Sequence, residues 1–134
     1  MVLVLAFLAL LNLHLQKMDV KNAWLRPANK GMNSALYFEV TNSSGKPETL
    51  LNVSSNIAEL VQLHESYIQK GMMGMREVKD VIIKPHSTFS FKEGGYHVML
   101  LFLKKNLKPN STEVFFLHFK NSGTVKIQAV VKKG

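Results

Sequence analysis

From Met18 onward the chain is broken into short runs rich in Val, Ile, Phe, Tyr and Thr, each closed by a cluster of Gly, Pro, Asn or Ser. Runs at such close intervals leave no room for helices and predict a sandwich or barrel of β-strands. The candidate strands are 20–25, 34–41, 49–54, 60–68, 72–78, 81–84, 88–91, 96–103, 112–120 and 124–131. Turn signals separate them at Asn42-Ser43-Ser44-Gly45, Lys84-Pro85, Glu93-Gly94-Gly95, Lys108-Pro109-Asn110 and Asn121-Ser122-Gly123. Between Ser34 and Thr41 the alternation is clean, with Leu36, Phe38 and Val40 on one face and Tyr37, Glu39 and Thr41 on the other. A half-buried strand reads this way. Only residues 56–61 have a competing helical look, too short and uncapped to prevail.

The first residues are different in kind. Twelve of the fourteen from Val2 to Leu15 are apolar, interrupted by Asn12 and His14. As a helix that run reaches only about 21 Å, short of the roughly 30 Å hydrocarbon layer, so it resembles the apolar core of an export signal more than a membrane span. No basic residue precedes it and no small-x-small cleavage site follows. An uncleaved anchor and a buried N-terminal helix are the alternatives. The expected organisation is an apolar leader over 1–17 and one β domain over 18–134. Contact with the membrane is expected only through the leader, if it is uncleaved.

The sequence has no Cys, which excludes disulfides, a lipid attached through Cys, zinc ribbons, thiolate iron–sulfur clusters, a cysteine nucleophile and blue copper. What it has instead is Met: seven, three of them in Gly71-Met72-Met73-Gly74-Met75. Glycines around these residues favour accessible side chains over packed ones. Farther on, Gly94-Gly95-Tyr96-His97-Val98-Met99 sets His97 and Met99 two apart, which on a strand puts both on one face about 6.5–7 Å apart. Imidazole with thioether is a soft, neutral donor set that prefers Cu(I) to Zn(II), Ca(II) or Mg(II). Absence of thiols also suits an oxidising compartment. The competing account makes Met75 and Met99 gap-fillers and His97 a hydrogen-bonded strand residue.

The spacing resembles that of a known family, the periplasmic copper chaperones called PCu(A)C, whose motif is His, ten residues, Met, twenty-one residues, His-x-Met. Here His64 is followed after ten residues by Met75 and after twenty-one more by His97-Val98-Met99. Ala23-Trp24-Leu25-Arg26-Pro27, Leu63-His64-Glu65, Met73-Gly74-Met75-Arg76 and Gly94 to Leu100 look like the family's strand segments, so the likeness runs from about Val20 to Val131. It implies a cupredoxin-like Greek-key β-sandwich holding Cu(I) on His64, Met75, His97 and Met99. It further implies a periplasmic carrier that delivers copper to the binuclear copper site of a respiratory cytochrome oxidase, often beside a thiol-bearing copper chaperone. The position after the first His, Met in some members, is Glu65 here, and no His- and Met-rich tail follows Val131, so a second, Cu(II)-type site has no support. Met73 shares the strand face of Met75 and could substitute for it; Met72 faces the other way.

Other residues carry less. His14, His86 and His118 are expected to be structural or solvated, and Trp24 and the eight Phe to be core or sheet-face residues. Glu65 could orient His64, although adjacent strand residues point oppositely. The net charge of +8 favours an acidic partner, but the lysines form no stripe with interleaved aromatics, so nucleic acid is not expected. There is no nucleophile elbow, phosphate loop or suggestive carboxylate pair, and two well-placed His are too few for a copper redox enzyme. The chain is expected to be no enzyme, and the alternative to a copper carrier is a metal-free β-sandwich interaction or adhesion module.

Overall fold

The computed structural model describes residues 17–134. The apolar run and His14 lie outside them. Ten strands follow in order: β1 (Met18–Leu25), β2 (Ser34–Asn42), β3 (Glu48–Ser54), β4 (Ala58–Gln69), β5 (Met72–Glu77), β6 (Val81–Ile83), β7 (Ser87–Phe91), β8 (Tyr96–Leu103), β9 (Thr112–Phe119) and β10 (Gly123–Val131). Each corresponds to one run read from the sequence, and the segment with a helical look leads directly into β4.

Hydrogen bonding links the strands in the order β5-β4-β8-β2-β1-β10-β9-β3-β6, with β7 on the far end of β2. One short parallel pairing, Trp24 to Val130 and Leu25 to Val131, joins β1 to β10. It welds two antiparallel arms, β5-β4-β8-β2-β1 and β10-β9-β3-β6, into a cupredoxin-like sandwich. The arms fold back until β3 touches β4 and β6 touches β7, pairs that share no ladder.

The inner faces meet in one apolar cluster that includes Leu25, Leu36, Phe38, Val40, Leu63, Val98, Leu100, Phe115 and Leu117, none more than 4% exposed. Burying a Phe or Leu in this way is worth about 1.5–3 kcal/mol each. Every strand gives a buried residue to the cluster except β5, whose side chains are exposed or partly exposed along its whole length. The core therefore explains nine strands and not the tenth.

Two local devices complete the frame. Phe102 has a left-handed backbone (φ 58°), its N–H held by Asn33 Oδ1 at 3.0 Å, which breaks the alternation of β8 so that Leu100 and Leu103 both point inward. Glu48 is wholly buried, and its carboxylate accepts hydrogen bonds from the N–H groups of Thr49, Asn121 and Ser122, the Asn121 amide and the Ser122 hydroxyl. These bonds tie the β9–β10 turn to the start of β3.

Candidate metal centre

Strand period and ladder register decide which side chains meet on the outer face of the first arm. On β4, Gln62, His64 and Ser66 alternate with the core residue Leu63. Their partners on β8 are Met99 for Gln62 and His97 for His64. On β5, Met75 stands opposite Ser66 and Glu77 opposite His64. Ala35 of β2 stands opposite Met99. The outer face thus gathers all four predicted donors, His64, Met75, His97 and Met99, from three adjacent strands. An open cavity of about 430 Å³ is lined by Met73, Met75, His97, Met99, Tyr37 and Arg26, among others.

The two imidazoles lie with ring centroids 5.7 Å apart. His97 Nδ1 is 3.3 Å from the Gly95 carbonyl oxygen, which can only accept, so the proton is on Nδ1 and Nε2 keeps its lone pair. His64 Nε2 is 2.9 Å from Gln62 Oε1, which by the same logic leaves Nδ1 the lone pair. Both remaining nitrogens, His64 Nδ1 and His97 Nε2, are buried and make no hydrogen bond. A buried polar atom without a partner is costly, and two of them beside thioethers are what a soft cation would satisfy. Burial lowers the pKa of both imidazoles; the neighbouring His97 lowers that of His64 further against Glu77, and the Gly95 carbonyl opposes the shift in His97. The ligating, neutral forms are therefore the ones the fold favours.

The sequence did not single out the walls around these donors. Tyr37, on the outer face of β2 yet buried, stacks on Trp24 (4.7 Å between centroids) and lies 6.4 Å from the His97 ring. Arg26 pairs with Glu93 at 2.6 Å and reaches the Tyr37 hydroxyl at 3.4 Å, so the cation at the cavity rim is neutralised. Lys132 Nζ lies 5.4 Å from the centroid of the Trp24 ring. The alternation that put Tyr37 opposite the core face was the available signal, and only the register shows what it covers.

Gly71-Met72-Met73-Gly74-Met75 is an edge strand entered by a tight turn, with Lys70 and Gly71 at positive φ. Its methionines are accessible as expected: Met72, Met73 and Met75 are 74%, 67% and 55% exposed. Gly74 has a role the sequence hid, because a Cβ there would stand 2.6 Å from the Tyr67 ring that covers it, and the ring would have to move. Glu65 points away from His64, bonding Arg76 at 3.0 Å. His86 is an exposed turn residue. His118 has both ring nitrogens engaged, by Ser54 and Thr124, so neither is free to ligate. Among the described residues no three His, Cys, Asp or Glu side chains gather as a metal site of hard donors would require.

Residues 18–131 match the model of the LpqE-like family. A protein of Leifsonia xyli subsp. xyli, named "Putative lipoprotein Lxx21020", is 30% identical over 115 residues, covering 85% of this chain and 69% of that one. Among solved structures, the copper-bound PCuAC domain from PmoF2 superposes with a TM-score of 0.74 at 27% identity, over 88% of this chain and 94% of that domain. The Cu(I) form of DR1885 from Deinococcus radiodurans gives 0.65 at 28% identity, over 87% and 80%.

Proposed function

The chain belongs to the LpqE-like family, and from that membership and its donor set we propose that it is a copper metallochaperone, carrying one Cu(I) on His64, Met75, His97 and Met99. The observation that carries this reading is the pair of buried, unpartnered imidazole lone pairs sharing a sheet face with two thioethers. The likeness to PCuAC domains solved with copper supports it.

The chemistry follows from the donors. Two imidazoles and two thioethers are all neutral, so the bound ion keeps its charge of +1, and thioether sulfur disfavours Cu(II) and Zn(II). The Gly95 carbonyl and the Gln62 amide hold each ring in the tautomer that presents a lone pair. Exposure of Met75 lets an acceptor reach the ion without the core opening. These are the properties of a carrier. An enzyme cycling copper would need donors that serve both oxidation states.

We further infer export to an oxidising compartment, the periplasm, with residues 1–17 as a leader or anchor to the domain over 18–134. The lipoprotein name of the Leifsonia relative agrees with export; with no Cys in this sequence, anchoring would rest on the apolar segment. The acceptor we infer is the binuclear copper site of a cytochrome oxidase subunit, with a thiol-bearing copper chaperone as a second partner. Two measurements test this. Anaerobic titration against a chromophoric Cu(I) competitor should give one Cu(I) per chain and little retention of Zn(II); a stoichiometry near zero would return the chain to the metal-free interaction modules. Loaded protein mixed anaerobically with the reduced, copper-free oxidase domain should then pass Cu(I) to that domain, read as copper per chain once the two are separated, and an acceptor that stays copper-free would refute this assignment.

A further inference from the structure

We propose that Met73 is a relay ligand through which Cu(I) enters and leaves the four-donor site, a role that rests on the copper-carrying reading above. Met73 and Met75 lie two residues apart on β5, facing Ile68 and Ser66 across the ladder. Their side chains therefore share the donor face at a Cα separation of about 6.5–7 Å. Met73 lines the donor cavity together with Met75, His97 and Met99. It also lines a neighbouring groove of about 380 Å³ formed with Tyr67, Gln69 and Met72. It is thus the side chain common to both.

Packing does not account for it. Met73 is two-thirds exposed, on the one strand that gives nothing to the core, and a large apolar side chain so placed gains little from burial. A thioether on three rotatable bonds is suited to another task, since its sulfur can sweep between the groove and the cavity. In the exchange a Cu–S bond to Met73 forms as the Cu–S bond to Met75 breaks. Copper remains Cu(I), no electron moves, and no proton is released because a thioether carries none. Met32, an exposed thioether that lines neither the cavity nor the groove, serves as the control.

The test uses the full chain and small Cu(I) chelators, which have no protein surface to dock and so separate a relay from a contact point for a partner. For Met73→Leu the equilibrium affinity should stay within about threefold of wild type while the loading and unloading rates fall together by about fivefold or more, the signature of a raised barrier between unchanged end states. Met32→Leu should change neither quantity, and Met75→Leu should lower affinity. An affinity loss in Met73→Leu equal to that of Met75→Leu would make Met73 a resting ligand and overturn the relay. Unchanged rates in Met73→Leu would overturn it as well, leaving the four-donor site intact. Absence of Cu(I) binding by the wild type would overturn the site reading itself. The apo melting temperatures of all three variants should match wild type, which excludes unfolding as the source of any rate change.

Discussion

His64 and His97 stand directly opposite one another on β4 and β8, each with one ring nitrogen hydrogen-bonded and the other buried without a partner. Thirty-three positions apart in sequence, they are made neighbours by the ladder alone, and the spacing of the motif is the length of chain needed to run out through β5 and back through β7.

Met75→Leu and Met99→Leu should each weaken Cu(I) binding by about tenfold or more, while the apo melting temperature stays nearly unchanged, because Leu and Met are close in volume and such swaps cost under about 1.5 kcal/mol. His86→Ala and His118→Ala should leave Cu(I) affinity as it is. Competition titrations on these four variants and on His97→Ala check this, and equal losses in His86→Ala and His97→Ala would contradict the assignment.

Protons compete with copper for His64 and His97, and both imidazoles titrate below the ordinary value of 6.5, burial being the main cause in each. Their neutral forms ligate, so Cu(I) affinity should be level above pH 6.5 and begin to fall only below the range of a free imidazole. The limiting slope should approach two protons per copper, and one in His64→Ala. Chelator competition between about pH 5 and 8 reads both slopes.

Glu48 gives the apo fold its own acid dependence. Burial alone would raise its pKa, but the Ser122 hydroxyl and the N–H groups of Thr49, Asn121 and Ser122 outweigh that and hold it below the ordinary 4.5. The native state thus binds this proton less readily than the unfolded chain. Its stabilisation is complete above about pH 4.5 and is lost as pH falls through the native value. Glu48→Gln should cost about 1.5–3 kcal/mol at neutral pH and flatten that part of the acid limb in urea melts.

Gly74→Ala brings a methyl group against the tip of the Tyr67 ring, which can yield only by swinging outward from the Arg76 guanidinium, now 5.1 Å from its centroid. The expected loss is about 0.5–1 kcal/mol for that contact, with a weaker Cu(I) site because Met75 is the next residue. Tyr67→Ala in the same chain should restore Cu(I) affinity, measured as before.

Local sequence carried much of this architecture, and the reasons for its limits are specific. Period-2 alternation and turn clusters located the nine core strands because each core face is apolar on its own account, whereas β5, which has none, stood out as a short Met-rich run. The four candidate donors could be picked out because two soft residue types recur at fixed separations, and the ladders place them on one sheet face. The β1–β10 weld was not, since pairing between the first and last strands depends on no local pattern. Nor was the inward turn of Leu103, which follows from a left-handed Phe102 that no residue-type preference favours. The Trp24–Tyr37–Arg26–Glu93 wall was hidden for another reason: its members come from separate segments and meet only after the register is set.

Because β5 carries the proposed donor Met75 but gives no side chain to the core, the packing of the sandwich does not depend on an ion. Folding then does not wait for metal, unlike in zinc fingers, although a bound ion would still add its binding free energy to the folded state. Amides of the Met72–Glu77 edge should open to exchange at a fraction of the free energy that protects β8. In the empty molecule that edge is then the first segment offered to a protease, and an ion tied to Met75 would hold it closed.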